Sequence, residues 1–165
     1  MVEIRTERLL LRAARESDLD DFHAVLGDAR AMAYWSSLPH RDRGETAAWL
    51  AETIAIPPGE GEDFAVEFEG RVIGKAGLHR FPVVGFIFHP DVWGRGLAAE
   101  ALRPVLRRAF EVHRLAYVEA DVDPRNAASL RLLERLGFRE VRRAARTWQI
   151  GGVWADSVYL RIEAG

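Results

Sequence analysis

The chain has 165 residues, 48% hydrophobic and 29% charged, and a formal net charge of −2 from 23 basic and 25 acidic side chains. That length suits one domain over 1–165, and basic residues scattered among acidic ones give no nucleic-acid partner. There is no cysteine, no leader-like opening and no apolar run near the ~18 residues of a membrane helix, so a disulfide framework is excluded, and no membrane partner and a cytoplasmic location are expected. The histidines at 23, 40, 79, 89 and 113 lack ligand spacing, and no metal is expected.

In chain order, residues 3–12 read as a strand with apolar positions at 4, 9, 10 and 11. Ser17 then reads as the cap of a helix with the stripe Leu19, Phe22, His23 and Leu26, stopped by Gly27; His23 on that stripe is read as a packed side chain. The segment 32–40 is loop-like but rich in aromatic and hydroxyl groups. Tyr34 and Trp35 there either line a substrate site or cap the core beneath it. A second helix from Arg43 to Ala55 carries Ala47, Leu50 and Ile54 on one face and ends at Pro57-Pro58-Gly59.

From Asp63 the period changes to two. Phe64, Val66 and Phe68 alternate, Glu69-Gly70 turns, Val72 to Leu78 returns, and Val83 to Phe88 follows, which makes an antiparallel meander. Gly94 and Gly96 then mark a turn from strand to helix. Without side chains, several N–H groups of such a turn can converge on one anion at the positive end of the helix dipole; a tight turn alone explains the same glycines. The helix has apolar residues at 97, 101, 102, 105, 106 and 109, with Pro104 inside it, where a kink or local opening is expected. Leu115 to Asp121 is a further strand. Asp123-Pro124 opens a helix with the stripe Ser129, Leu132, Leu133 and Leu136 and the stop Gly137. Residues 138–147 and 154–162 close the chain as a hairpin around Gly151-Gly152.

Gly94-Arg-Gly-Leu-Ala-Ala99 also fits the Gly-x-Gly-x-x-Gly/Ala dinucleotide fingerprint, with Glu119 and Asp121 about 20 residues on. A nicotinamide-dependent enzyme is therefore the remote alternative. An antiparallel meander before the motif, and only some 45 residues after Asp121, leave no room for the second half of such a fold.

The order of elements and two motifs together resemble the GCN5-related N-acetyltransferases (GNAT), in their RimJ/RimL-like branch. The motifs are Trp93-Gly-Arg-Gly96-Leu-Ala98, and Asn126-Ala-Ala-Ser129 followed by Gly137-Phe138. The resemblance implies an α+β fold, with a mixed, mostly antiparallel sheet of about six or seven strands flanked by about four helices. It implies an enzyme moving an acetyl group from acetyl-coenzyme A to a primary amine, of a small molecule or a protein N-terminus, by direct transfer in a ternary complex. Cofactor contacts would then come from Ile87, Phe88 and His89 on the strand, Trp93, Gly94, Arg95, Gly96, Leu97 and Ala98 at the turn, and Asn126 and Ser129. The Phe88 backbone N–H would face the acyl oxygen, and Ser129 would protonate the thiolate, because Leu133 stands where many members have a tyrosine. Val83-Val84 stand where many have a glutamate base, which leaves Glu67, His79, Glu100 and Glu119 as candidates. Tyr34, Trp35, His40, Trp148, Trp154 and Asp156 would shape the acceptor pocket. Members are often homodimers. The missing tyrosine and glutamate give the alternative of a non-catalytic acyl-coenzyme A sensor.

Overall fold

Three strands in succession, joined by turns too short for a crossover, have only the antiparallel ladder open to them. The computed structural model, which describes all 165 residues, shows β3 (Glu62–Phe68), β4 (Arg71–Arg80) and β5 (Val83–Phe88) in that arrangement. The segment read as one strand over 3–12 is a hairpin, β1 (Ile4–Arg5) against β2 (Leu9–Arg12). Thr6 is the reason. Its N–H donates to the Leu9 carbonyl and its Oγ1 accepts the Leu9 N–H, both at 3.0 Å, which closes a turn within the run. With β6 (Tyr117–Val122), β7 (Arg139–Ile150) and β8 (Val153–Glu163), the sheet has eight strands, one above the expected range, in the order β1-β2-β3-β4-β5-β6-β8-β7. Only β5 and β6 are parallel.

Alternation divides the core between the two faces. Phe64, Val66, Ala76, Leu78, Val84, Phe88, Val118 and Ala120 meet α3 (Leu97–Glu111) and α4 (Ala127–Arg135) in the larger cluster. Ala65 and Ile87 meet α1 (Leu19–Leu26) and α2 (Arg43–Ile54) in the smaller one. All six apolar positions expected on α3 are buried, and the helix is unbroken through Pro104, because packed residues at 101, 102, 105 and 106 hold both sides of the missing bond.

Three local expectations change. Ser17 lies inside a turn of 3-10 helix, and Asp18 takes the N-cap position of α1, its carboxylate reaching back to accept the Arg15 N–H at 2.8 Å. The buried face of α2 is Thr46 and Leu50 with half-buried Trp49, while Ala47 and Ile54 are exposed. The Thr46 hydroxyl makes that choice, since it sits 2.8 Å from both His23 Nδ1 and His40 Nδ1. Asn126, rather than Asp123, caps α4, because the Asp123 carboxylate is taken by the Arg125 N–H and guanidinium.

One buried ion pair ties the first strands to α1. Arg12 donates to Asp18 through Nη1 and Nη2, each at 2.9 Å, and through Nε to Glu67 at 2.9 Å. Burial works to raise the Asp18 pKa, but the Arg12 and Arg15 hydrogen bonds win and hold it below the ordinary carboxylate value. A carboxyl group with a depressed folded pKa adds stability above its unfolded value near 4 and loses it as the pH falls through the folded one. We expect Asp18→Ala to cost about 3 kcal/mol in urea unfolding at pH 7 by taking the carboxylate from the buried Nη1 and Nη2 of Arg12, Glu67 remaining on Nε. Below about pH 4 the gap from the parent should narrow, and an unchanged gap there would remove the linkage.

Candidate active site

The parallel neighbours β5 and β6 share one register pair, Val83 with Glu119, sealed by the Glu119 N–H on the Pro82 carbonyl at 2.9 Å, and then diverge. The ladder on the other edge of β5 decides which groups face the gap. The His89 N–H bonds the Ile73 carbonyl at 2.8 Å, which makes Gly74 and Phe88 a non-hydrogen-bonded pair. By alternation the N–H and C=O of Phe86 and Phe88 point into the gap, whereas those of Ile87 and the N–H of His89 are committed to β4, and the His89 carbonyl accepts the Val92 N–H at 3.1 Å. The Phe88 carbonyl is taken by Trp93 Nε1 at 2.9 Å, which leaves the Phe88 N–H free.

The glycine turn closes the wide end of this gap. Gly94 and Gly96 both have φ of 76°, where an L side chain is strained. A Cβ at Gly94 would meet nothing within 4 Å, and one at Gly96 only Arg8 Nη2 at 3.8 Å, so open space lies over the turn. Gly96 is also the N-cap of α3 and has no side chain to cap its first amides. The donor set suits a phosphate ester: uncapped amides at a helix N-terminus, with the exposed guanidinium of Arg95 in the same turn. The Leu97 side chain is buried in the core, leaving its backbone to face the turn.

On the α1/α2 face, beyond the cover of those helices, lies a cavity of about 680 Å³. Its floor is built from β4 to β6. Gly77 and Gly85 face each other across the ladder, and the Lys75 side chain lies over them, its Nζ 3.3 Å from where a Gly85 Cβ would stand. Lys75 donates to Asp63 Oδ2 at 2.9 Å, and both side chains are almost wholly buried. Asp63 Oδ1 is buried without a partner. Aromatic walls come from Tyr34, Trp35, Trp49, Trp148 and Tyr159, and carboxylates from Glu52, Glu119, Asp121, Asp123 and Asp156. Burial, then the Lys75 charge, hold the His79 imidazole pKa below the ordinary 6.5 although its outer edge is exposed.

Several expected residues find other places. Trp154 is turned away, because Trp148 pairs with Ala155 and shares its face while Trp154 takes the opposite one, under the Arg146 guanidinium at 4.9 Å from its ring centre. His40 is outside the cavity on Thr46, with its pKa lowered by burial. Glu67 is on Arg12 and lines no part of the cavity. The Asn126 carbonyl is spent on the Ser129 N–H at 3.2 Å, which leaves its amide group and the half-buried Ser129 hydroxyl at the start of α4. Tyr34 and Asp156 line the cavity, and Trp35 both lines it and packs on the smaller core cluster. Sequence reasoning missed Asp63, Lys75, Tyr159 and Arg8; the signal for Lys75 was a sole lysine between two glycines in an apolar strand.

The acetyltransferase (GNAT) domain model matches residues 8–139. Probable N-acetyltransferase YjcK of Bacillus subtilis (strain 168) is 38% identical over 101 residues, 57% of this chain and 56% of that protein, so the match spans little more than half of that relative. A spermidine N-acetyltransferase from Vibrio cholerae, solved in complex with CoA and spermine, superposes with a TM-score of 0.81 at 24% identity, covering 96% of each chain. A ribosomal-protein-S5-alanine acetyltransferase from Vibrio fischeri gives 0.83 at 21%, covering 99% of this chain and 97% of that one. Both show the same fold.

With only the Arg8 guanidinium in van der Waals contact with the Cβ position, Gly96→Trp should leave the fold standing at a cost of about 1–3 kcal/mol of backbone strain while filling the space over the turn. Calorimetric titration with coenzyme A should show binding lost; unchanged affinity would put the anion elsewhere.

Proposed function

The chain belongs to the acetyltransferase (GNAT) family, and from that premise we propose that it acetylates the primary amine of a small cationic acceptor held in the acidic cavity, by direct transfer from acetyl-coenzyme A. When bound, that co-substrate supplies an activated thioester. The residues around it divide the remaining work. The amides of residues 94–98 hold the diphosphate, and the free backbone groups of Phe86 pair with the pantetheine arm, satisfying groups that the ladder leaves open. The Phe88 N–H donates to the carbonyl oxygen as negative charge develops there. Ser129, in the first turn of the helix that Asn126 caps, donates a proton to the departing sulfur.

The observation that carries the acceptor class is the charge of the cavity. Asp121 holds only the neutral Trp148 Nε1 at 3.0 Å and Asp156 only the Arg146 backbone N–H at 2.9 Å, so neither charge is neutralised by its hydrogen bond. With Glu52 at the rim and aromatic faces between them, these groups favour an ammonium that stays charged while a second amine reacts. The Vibrio cholerae neighbour was solved with spermine, an oligoamine of that chemistry.

The reacting amine must first lose a proton. Glu119 and Asp123 are paired with Arg161 and Arg125, and Glu100 lies at the first hairpin. His79, held neutral, takes the proton through cavity water.

Thiol release from acetyl-coenzyme A over an amine panel tests the reading. Diamines and oligoamines should exceed neutral monoamines of equal length at least about tenfold in kcat/KM; preference for an uncharged amine, or for a peptide, would overturn the acceptor class, and release with none would favour a sensor. Because a depressed imidazole pKa keeps the base neutral down to acid pH, kcat/KM should fall only below pH 6.5. His79→Gln should lower kcat/KM at least about tenfold and abolish that acid limb; a persisting limb would assign the proton to another group.

A further inference from the structure

Glu100 occupies the first turn of α3, where its charge faces the same positive helix end as a bound phosphate. An uncompensated carboxylate there would compete with the ligand. It is instead enclosed by the first hairpin: the Thr6 hydroxyl donates to Oε1 at 2.7 Å, the Arg8 N–H to Oε1 at 2.8 Å, and Arg8 Nε to Oε2 at 2.7 Å, with Nη2 also 2.6 Å from Oε2. The remaining arm of the guanidinium reaches the glycine turn, where Nη1 donates to the Arg95 carbonyl at 3.0 Å.

That last bond bears on the cradle. In a trans peptide the C=O and the following N–H point in opposite directions. A peptide flanked by a glycine at positive φ turns over at little steric cost, so the glycine turn does not by itself choose between presenting an N–H and presenting a carbonyl. Arg8 pins the carbonyl. The Gly96 N–H, which donates to no protein group, is thereby directed away from the hairpin.

We infer that Arg8 and Glu100 are a positioning pair that holds the Arg95–Gly96 peptide with its carbonyl turned away from the diphosphate and its N–H toward it. Glu100 fixes the guanidinium and cancels its charge, and Arg8 acts through the geometry of the turn. The inference rests on the proposed coenzyme A site.

Two substitutions keep the site's positive charge but lose the fork: Arg8→Lys and Glu100→Gln. Coenzyme A affinity by calorimetry should fall about tenfold in each, the size of one hydrogen bond to a charged group. The kcat/KM preference for acetyl-coenzyme A over S-acetylpantetheine, which lacks the diphosphate, should shrink by the same factor. Parental affinity in Arg8→Lys, or tighter binding in Glu100→Gln, would show that Arg8 acts by charge and overturn the inference. An equal fall with both thioesters would show a packing role and overturn it too. No coenzyme A binding by the parent protein would instead overturn the site itself.

Discussion

The site depends on one missing ladder. β5 pairs with β4 along most of its length but meets β6 only at Val83 and Glu119. Backbone groups inside a sheet must find partners, so strands that part leave a slot with N–H and C=O groups facing inward. Everything useful is arranged around that slot. The glycine turn stands at its wide end, the Ser129 helix follows β6 in the chain, and the acidic cavity opens on the α1/α2 face of the same three strands. Trp93 trims the slot further by occupying the Phe88 carbonyl, so that a donor rather than an acceptor is left facing the slot.

Charge is handled differently in each part of the molecule. Near the turn, the Glu100 carboxylate is cancelled by Arg8, so the helix end stays attractive to an anion. Under α1, Arg12 and Asp18 satisfy each other almost out of reach of water. On the cavity floor Lys75 and Asp63 form a second buried pair, laid over facing glycines that leave room for the long side chain. Higher in the cavity, Asp121 and Asp156 are held by neutral donors. The contrast separates the structural carboxylates from those available to a cationic ligand, a distinction that composition hides behind a net charge of −2.

Much of the fold was legible because it rests on local periodicity. The period-two run from Asp63, the six-position stripe of α3 and the stops at Gly27 and Gly137 all appear where the pattern puts them. The errors share a cause. Ser17, Asp123 and the face of α2 were each decided by a distant or competing partner: Arg12 on Asp18, Arg125 on Asp123, and two histidines on Thr46. Trp154 was misplaced because the pairing of Trp148 with Ala155 sets which face each residue takes, and a hairpin's register cannot be read from either strand alone.

The amino-acid order by itself determined the elements, the glycine turn and the two motifs that place the chain among the acetyltransferases, because these depend on neighbours in sequence: side-chain spacing, backbone freedom and helix ends. Tertiary structure alone decided that β5 and β6 part after one pair, that Lys75 lies buried beside Asp63, that carboxylates from α2, β6 and β8 share one cavity, and that Arg8 reaches Arg95. Each of those brings together groups far apart in the chain, and the free energy that selects them is that of burial and pairing across the sheet, which no local pattern encodes.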